Sequence, residues 1–462
     1  MSADSSASPA DSRSSRLDEV RALQHTLYRT AKADPGRRFH ALWDKVLRRD
    51  VLWRGWVAVR ANNGAPGIDK TTLDQIEHGY GALRLVDELA AELREGRYRP
   101  LPARGVLIPK PGLKDEYRPL AISAVRDRIV QAALKIVLEP VFEADFLPCS
   151  FGFRPKRSAH DALQVVIDEA WRGRRWVVET DIASCFTAIP HEKLMQAIEE
   201  RVVDQPVLKL LRQILRAGVM QDGQVRREVT GAAQGGPVSP LLCNIYLHRL
   251  DREWDVREYG VLVRFADDLL VMCRTRQQAE AALARLRQVL AELGLEPKEA
   301  KTRIVGLEEG GPGFDFLGFH HQMVRSRGWQ TGRGTVFLAR WPADKAMRHA
   351  RDRIRELTAR SRLLLPPEAV VQDINMFLRG WVAYFRYGHS TACLAKIRDY
   401  ATLRLAIFVG KRHKRGRRFG LHVVAYLSPD LCGLIRLSGV VVPPRANKPW
   451  REKPHAAGER RR

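Results

Sequence analysis

Cysteine is scarce in this chain, and the six cysteines lie too far apart to form a disulfide framework or a zinc site. No two of them have the C-x-x-C spacing, which favours reduced thiols in a cytosolic enzyme. Long apolar runs are also lacking, and no basic amphipathic segment lies near a terminus, so neither a membrane span nor a membrane anchor is expected. The first 16 residues are rich in Ser, Ala and Asp and lack the apolar core of a secretory signal. We therefore expect a cytoplasmic protein.

Acidic residues are in deficit. The chain has 53 Asp and Glu against 78 Lys and Arg, which gives a formal net charge of +25. A basic surface gains affinity for a phosphate backbone by releasing counterions, and added salt removes that gain. A basic protein that binds nothing acidic is the alternative on charge alone. The composition thus predicts a nucleic-acid partner and an affinity that falls steeply with salt.

The length of 462 residues suffices for about three domains, and 45% apolar residues allow each domain its own core. Helical periodicity runs over 17–56, followed by a turn-rich loop at 62–67. The pattern then predicts two short strands within 106–122 and a helix over 126–138 with one apolar face.

Strands and helices alternate in the middle of the chain. Strands are predicted at 176–182, 261–266 and 269–273, and helices at 191–203 and 283–293. This order predicts a split βαβ sheet with helices on one side.

The pattern from residue 346 onward is helical, with one amphipathic helix over 370–384 and another over 392–409. The last helix leads into six cations within eight residues, which repel one another unless phosphates are near. We call this set the basic run: Lys411, Arg412, Lys414, Arg415, Arg417 and Arg418. A solvated tail is the alternative for the basic run, and the chain after 443 is predicted to be disordered.

Two adjacent carboxylates, Asp267 and Asp268, stand between two predicted strands. Neighbouring carboxylates repel each other, and a buried cation or magnesium, which prefers oxygen ligands, would stabilise them. A solvated turn is the commoner explanation of such a pair taken alone. Asp181, however, ends a second apolar strand, and strand ends are where α/β sheets place active sites. Asp181 and Asp267 together could bridge two metal ions ~3.5–4 Å apart, the arrangement used in phosphoryl transfer.

Seven sequence blocks stand out along the chain. They are YRPLAI at 117–122, SFGFRP at 150–155, DIASCF at 181–186, QGGPVSP at 234–240, FADD at 265–268, EAKT at 299–302 and FLGF at 316–319. In this order they resemble the group II intron-encoded reverse transcriptase/maturase family, in the form that lacks the nuclease domain. The resemblance extends from about residue 62 to 418. Phe265, Thr187, Ala233 and Lys156 depart from the family's usual Tyr, Asp, Pro and Gly.

The resemblance implies an α+β right-hand polymerase with a split βαβ antiparallel sheet in its palm and an all-helical thumb. Its expected units are a disordered N-terminus over 1–16, fingers with part of the palm over 17–175, a palm over 176–330, a helical thumb or maturase domain over 331–418, and a basic C-terminal extension over 419–462.

The resemblance also implies catalytic and metal-binding roles for Asp181, Asp267 and Asp268. They are expected to hold two Mg²⁺ ions, which Mn²⁺ could replace. Because neighbours on a strand point to opposite faces, Asp268 is expected to be the weaker ligand. Lys301 is implied to lie near the leaving phosphate, although a solvent-facing lysine is the commoner case.

Further residues are implied to bind the nucleotide or the nucleic acid. Phe186 would leave no room for a ribose 2′-hydroxyl, with core packing as the alternative. Lys110 and Arg118 would grip the triphosphate. Gln234 and Gly235 would form the loop under the nascent base pair, with an ordinary turn before the helix that starts at Ser239-Pro240 as the alternative. Nucleic-acid contacts are expected from Arg154 and the basic run.

The leading hypothesis is an RNA-directed DNA polymerase that binds its group II intron RNA and assists splicing and mobility. Its expected partners are that RNA as template, a DNA primer or target DNA, and dNTPs. Two alternatives stay open: an RNA-binding maturase with little polymerase activity, and a domesticated reverse transcriptase in DNA repair or phage defence. The intact carboxylates weigh against the first alternative, and the residues do not separate the second from the leading hypothesis.

Overall fold

The computed structural model describes residues 9–109, 117–221, 224–226, 230–231, 235–326, 334–428 and 430–442, with side chains from residue 19 onward. Lys110 and Gln234, two predicted site residues, lie outside the described residues. The helices are α1 Pro9–Ala33, α2 Trp43–Val46, α3 Arg49–Ala61, α4 Leu73–Gln75, α5 Ala82–Arg94, α6 Val125–Glu143, α7 Ala159–Trp171, α8 Cys185–Ala188, α9 His191–Glu199, α10 Gln205–Arg216, α11 Ser239–Arg252, α12 Val256–Tyr259, α13 Arg276–Glu292, α14 Asp344–Leu357, α15 Pro367–Phe385, α16 Thr391–Arg412 and α17 Arg417–Leu421. The strands are β1 Ala103–Pro109, β2 Tyr117–Ile122, β3 Trp176–Asp181, β4 Val219–Gln221, β5 Gln224–Arg226, β6 Val261–Phe265, β7 Asp268–Cys273, β8 Arg303–Gly306, β9 Phe314–Phe316, β10 Phe319–Arg325 and β11 Val336–Pro342.

The N-terminal helices pack around α6, whose residues are mostly buried. The helical periodicity predicted over 17–56 is divided among α1, α2 and α3. Helix α1 already includes residues 9–16, which were predicted to be disordered, so that prediction is wrong for this part of the N-terminus. Val20, Leu27 and Ala31 of α1 are buried in the core, and such an anchored apolar face stabilises the turns that continue from it.

The two strands predicted within 106–122 form an antiparallel hairpin, β1 and β2, with Val106 opposite Leu120. This prediction is confirmed. Strand β4 adds to the other edge of β1 in parallel, so that the sheet order is β2-β1-β4-β5. The outer half of the hairpin is exposed, including Leu107 and Ile108.

A second, antiparallel sheet with the order β6-β7-β3-β8 lies at the centre of the chain, and we call it the central sheet. Its side chains alternate between two cores. Val178 and Val271 enter a core that includes α11 and α13, whereas Val177 and Met272 enter a core that includes α7 and the C-terminal helices. Both faces are therefore covered, and the prediction of helices on one side is wrong because α7 and the C-terminal region bury the second face.

The C-terminal region starts with the antiparallel sheet β11-β10-β9 and continues with α14, α15 and α16, which confirms the helical pattern predicted from residue 346. The predicted unit boundary at residue 330 falls between β10 and β11, which pair over seven residues. Among the described helices, none is both long and apolar enough to cross a membrane.

Candidate active site

Strand register brings the three predicted carboxylates to one end of the central sheet. Asp181, the last residue of β3, is directly opposite Asp268, the first residue of β7. Asp267 occupies the turn before β7, and its carbonyl accepts a hydrogen bond from the amide of Ile182 at 3.1 Å. Asp181 and Asp268, which are 87 positions apart in sequence, thus become cross-strand neighbours.

The surroundings of this sheet end disfavour negative charge on the two adjacent carboxylates. Burial raises the pKa of Asp267. Burial also raises the pKa of Asp268 to about 7, with the charge of Asp267 as a further cause. Arg118 lowers the pKa of both carboxyls, and Lys345 of α14 lowers that of Asp268. The cationic side chains of β2 and α14 therefore act on the carboxylates from two different parts of the chain.

Lys301 is held beside the third carboxylate. The backbone amide of Lys298 donates to the carbonyl of Asp181 at 2.7 Å, and the hydroxyls of Thr180 and Thr302 are 2.7 Å apart. The short helical turn between them directs the Lys301 ammonium to the Asp181 carboxylate, with which it forms an ion pair.

The donor set fits a divalent cation, because three carboxylates supply only oxygen and two of them carry pKa values raised by burial. A bound cation would stabilise their ionised forms. Because Asp181 is turned to Lys301, the three carboxylates do not form a closed cluster. Within the described residues, the one set of three His, Cys, Asp or Glu side chains whose ligand atoms all lie within 4.8 Å of one another is exposed: Asp74, Glu77 and His78. Arg60 already pairs with both carboxylates of that set.

A fully buried arginine supports the turn that carries Asp267. Arg264 in β6 donates to both carboxylate oxygens of Asp251, at 2.8 and 2.5 Å. Its third nitrogen donates to the side-chain oxygen of Asn244 at 3.0 Å and to the carbonyl of Ala266 at 3.2 Å. Ala266 has a φ of 56°, which L-residues rarely adopt. The guanidinium therefore fixes a strained residue next to the metal-ligand candidates.

The SFGFRP block packs directly against the same turn. A Cβ on Gly152 would lie 2.4 Å from the Ala266 nitrogen, so only glycine fits at this point. Asn244 donates to the carbonyl of Gly152 at 2.7 Å, and the amide of Phe151 donates to the carbonyl of Arg264 at 2.8 Å. Three separate segments of the chain are thus joined through one buried network.

Arg154 does not have the predicted nucleic-acid role in this structure. Its side chain is only 3% exposed and forms an ion pair with Glu143 at 2.8 Å. It also donates to the carbonyls of Leu147 and Ser150, at 2.7 and 2.8 Å. The prediction for Arg154 is wrong because its N–H groups donate to buried acceptors. Those acceptors would destabilise the fold if they were left without a hydrogen bond.

The predicted nucleotide-binding residues are placed as follows. Phe186 lies in the short helix α8, five residues after Asp181, and is partly buried against the core. Arg118 is exposed on β2. Gly235 has a φ of 127°, and a Cβ there would lie 2.7 Å from the carbonyl of Ala121, so its loop packs against β2. Helix α11 starts with Ser239 as its first residue after Val238, which corrects the predicted N-cap by one position.

The basic run is exposed throughout. Lys411 and Arg412 end α16, whereas Arg417 and Arg418 begin α17. One member has a structural role, because Arg412 donates to the carbonyls of Leu363 and Leu365, at 2.6 and 2.7 Å.

Sequence reasoning missed Arg264, Asn244 and Asp251. One signal was present: Arg264 interrupts an otherwise apolar strand just before the carboxylates. A charge inside a predicted buried strand requires a partner.

Comparisons with known proteins agree with this geometry. Residues 108–321 match the model of reverse transcriptase (RNA-dependent DNA polymerase), and residues 347–424 match the group II intron maturase-specific domain. The protein YkfC of Escherichia coli K12 is 34% identical over 348 residues, which cover 66% of this chain and 88% of that protein. The chain belongs to the group II intron reverse transcriptase/maturase family. It is accordingly an RNA-directed DNA polymerase by family, with an α+β catalytic region followed by a helical maturase region.

Other members of the family match over a shorter part of the chain. The group II intron-encoded protein LtrA of Lactococcus lactis subsp. cremoris is 36% identical over 214 residues, covering 46% of this chain and 35% of LtrA. A 91 kDa protein in the cob intron of Schizosaccharomyces pombe is 36% identical over 210 residues, covering 45% of this chain and 25% of that protein. The chain therefore spans only a quarter to a third of these two relatives.

Proposed function

We propose that Asp181, Asp267 and Asp268 hold two Mg²⁺ ions and that the chain copies an RNA template into DNA at this sheet end. The observation that supports this most directly is the register that sets Asp181 opposite Asp268, with Asp267 in the adjoining turn. Metal ions bound there would activate the primer 3′-hydroxyl and stabilise the leaving oxygens.

The chain's own side chains would complete the site around the triphosphate. Arg118 lies on the exposed face of β2 close enough to act on the charges of Asp267 and Asp268, which suits a guanidinium that binds phosphate oxygens. Lys301 would leave its pairing with Asp181 when a metal binds there, and its ammonium would then face the leaving phosphate. Phe186 would lie beneath the sugar and exclude a 2′-hydroxyl. Lys110 and Gln234 keep their proposed roles from the sequence.

We also propose that the RNA partner is a group II intron RNA, bound through the helical region and the basic run. The maturase-specific match at 347–424 covers α14, α15, α16 and the basic run, which supports this assignment. The proposed units are fingers from α1 to α7, a palm that includes the central sheet and β9 to β11, and a helical maturase unit from α14 onward.

Replacing Asp267 with Asn tests the proposed site. A neutral amide keeps the shape of the side chain but cannot hold the metal pair, so primer extension on an RNA template should fall to background while RNA affinity stays nearly unchanged. The matched control is Asp44→Asn, which removes one negative charge from an exposed ion pair with Lys45. Extension by the Asp267→Asn protein near the parental rate would refute the assignment of this turn.

A further inference from the structure

Phe153 is an aromatic residue that the catalytic proposal leaves without a role. It lies in the SFGFRP block, the residue is 53% exposed, and its backbone has a φ of 56°. A non-glycine residue in this conformation is strained, and a bulky one is a genuine outlier. Strain of this kind persists only where the surrounding structure enforces it, and it is concentrated at functional sites.

The loop around Phe153 is rigidly held on both sides. On its C-terminal side, the buried Arg154 pairs with Glu143 and donates to three backbone carbonyls of 146–150. On its N-terminal side, the carbonyl of Gly152 accepts a hydrogen bond from Asn244, whose side-chain oxygen accepts one from Arg264. Phe153 therefore lies between two buried hydrogen-bond networks, each of which contains an arginine. These networks restrain its backbone and fix the position of the exposed side chain.

That place is beside the candidate active site. The ring of Phe153 lies 6.4 Å from the ring of Phe265, at an interplanar angle of 43°. Phe265 precedes Asp267 by two residues. Phe265 is also directly opposite Asp268 in the β6–β7 pairing, so the Phe153 ring lies beside the strand pair that carries the carboxylates.

We propose that the Phe153 ring is a contact for the primer–template duplex, packing on the sugar and base edges of the base pairs next to the primer terminus. This inference rests on the proposed function, because the active site determines which part of the duplex meets the ring. The ring is uncharged and apolar, so it suits the base and sugar surface of the duplex better than its phosphates. An aromatic contact fixed in position costs little conformational entropy on binding, and contacts of this type tolerate any base sequence.

The decisive variant is Phe153→Asn. Asparagine adopts the left-handed backbone region more readily than other non-glycine residues, so this change removes the ring while relieving the strain. We expect the affinity for an RNA–DNA primer–template duplex to fall about 5- to 150-fold, the range for loss of one aromatic contact to a base. The melting temperature should stay equal or rise. The slope of log affinity against log salt should match that of the parent, because no ionic contact is lost.

Phe153→Tyr is the matched control, since it keeps the ring and should bind the duplex as the parent does. Unchanged duplex affinity in Phe153→Asn would overturn the proposal, and so would an equal loss of affinity for duplex and single-stranded template. The proposal would also be overturned if Phe153→Asn and Phe153→Tyr both lost duplex affinity in proportion to a lowered melting temperature. A parent protein that fails to extend a primer would instead contradict the proposed function, so the two failures are distinguishable.

Discussion

Arg264 and Asp251 form a buried ion pair, and both side chains are fully inaccessible to solvent. The same guanidinium donates to the carbonyl of Ala266, the residue before Asp267. An ion pair at this depth is not needed for stability alone, because apolar residues of similar volume can replace such pairs without loss. We infer that Arg264 is a positioning residue for the turn that carries Asp267.

Replacing Arg264 with Met should destabilise the protein by about 3–5 kcal/mol, because Asp251 would remain buried without a partner. The double variant Arg264→Met with Asp251→Leu removes both charges, so most of this stability should return. Primer extension should not return, since the Ala266 carbonyl still lacks its donor. Urea unfolding and single-turnover extension measure the two quantities separately. A double variant that extends at the parental rate would mean that the pair is only structural.

The pH dependence of the unfolding free energy should reveal the raised pKa of Asp268. An unfolded Asp has a pKa near 3.9, whereas burial raises the pKa of Asp268 to about 7 in the folded protein. Without divalent metal, the protonated Asp268 carboxyl contributes stability that is fully present below about pH 4. This contribution is lost progressively as the pH rises to about 7. Relative to the parent, Asp268→Asn should gain unfolding free energy over this interval, on the order of a few kcal/mol.

The measurement is urea unfolding of both proteins in a chelating buffer from pH 4.5 to 8. At pH 8, added Mg²⁺ should reduce the difference, because a metal that binds only the folded parent stabilises it. A difference that does not change with pH would show that Asp268 ionises normally.

Replacing Phe186 with Val should admit ribonucleotides, because it opens the space beneath the sugar. The quantity to compare is incorporation of a ribonucleotide relative to its deoxy counterpart. Phe186→Tyr keeps the ring and should retain discrimination. If the ratio is the same in all three proteins, Phe186 is a core residue, as its partial burial alone would suggest.

Changing Lys411, Lys414, Arg417 and Arg418 to Gln should weaken RNA binding across unrelated sequences. Each lost phosphate contact should make the negative slope of log affinity against log salt shallower by roughly 0.7–0.9. Arg412 is left intact because it holds the 363–365 segment. The control changes four exposed arginines elsewhere: Arg84, Arg97, Arg274 and Arg276. Equal slopes in the two variants would place the basic run outside the RNA interface.

Much of the local structure could be predicted from the sequence. The strand over 176–181, the hairpin around Asp267 and Asp268, and the helices after 344 follow from periodicity and turn residues, and the structure has all of them close to the predicted bounds. The residues of the seven blocks also sufficed to identify the family, because their order and spacing encode one catalytic arrangement.

Other predictions failed because solvent exposure is a property of the folded chain. The nucleic-acid role expected for Arg154 failed because its guanidinium is buried against Glu143 at the end of α6. Arg264, for which no role was predicted, is buried against Asp251 of α11. Lys156, which replaces the family's usual glycine, adopts a φ of 58°, a strain that no sequence pattern displays.

The sequence by itself thus determined which residues are candidates for the chemistry, because carboxylates at strand ends and cations in runs have intrinsic chemical properties. Only the tertiary structure decided which cations remain available to nucleic acid, which are consumed by buried acceptors, and that Phe153 projects beside Phe265. The physical reason is that hydrogen-bond satisfaction and burial depend on contacts between residues far apart in the chain, which local patterns do not encode.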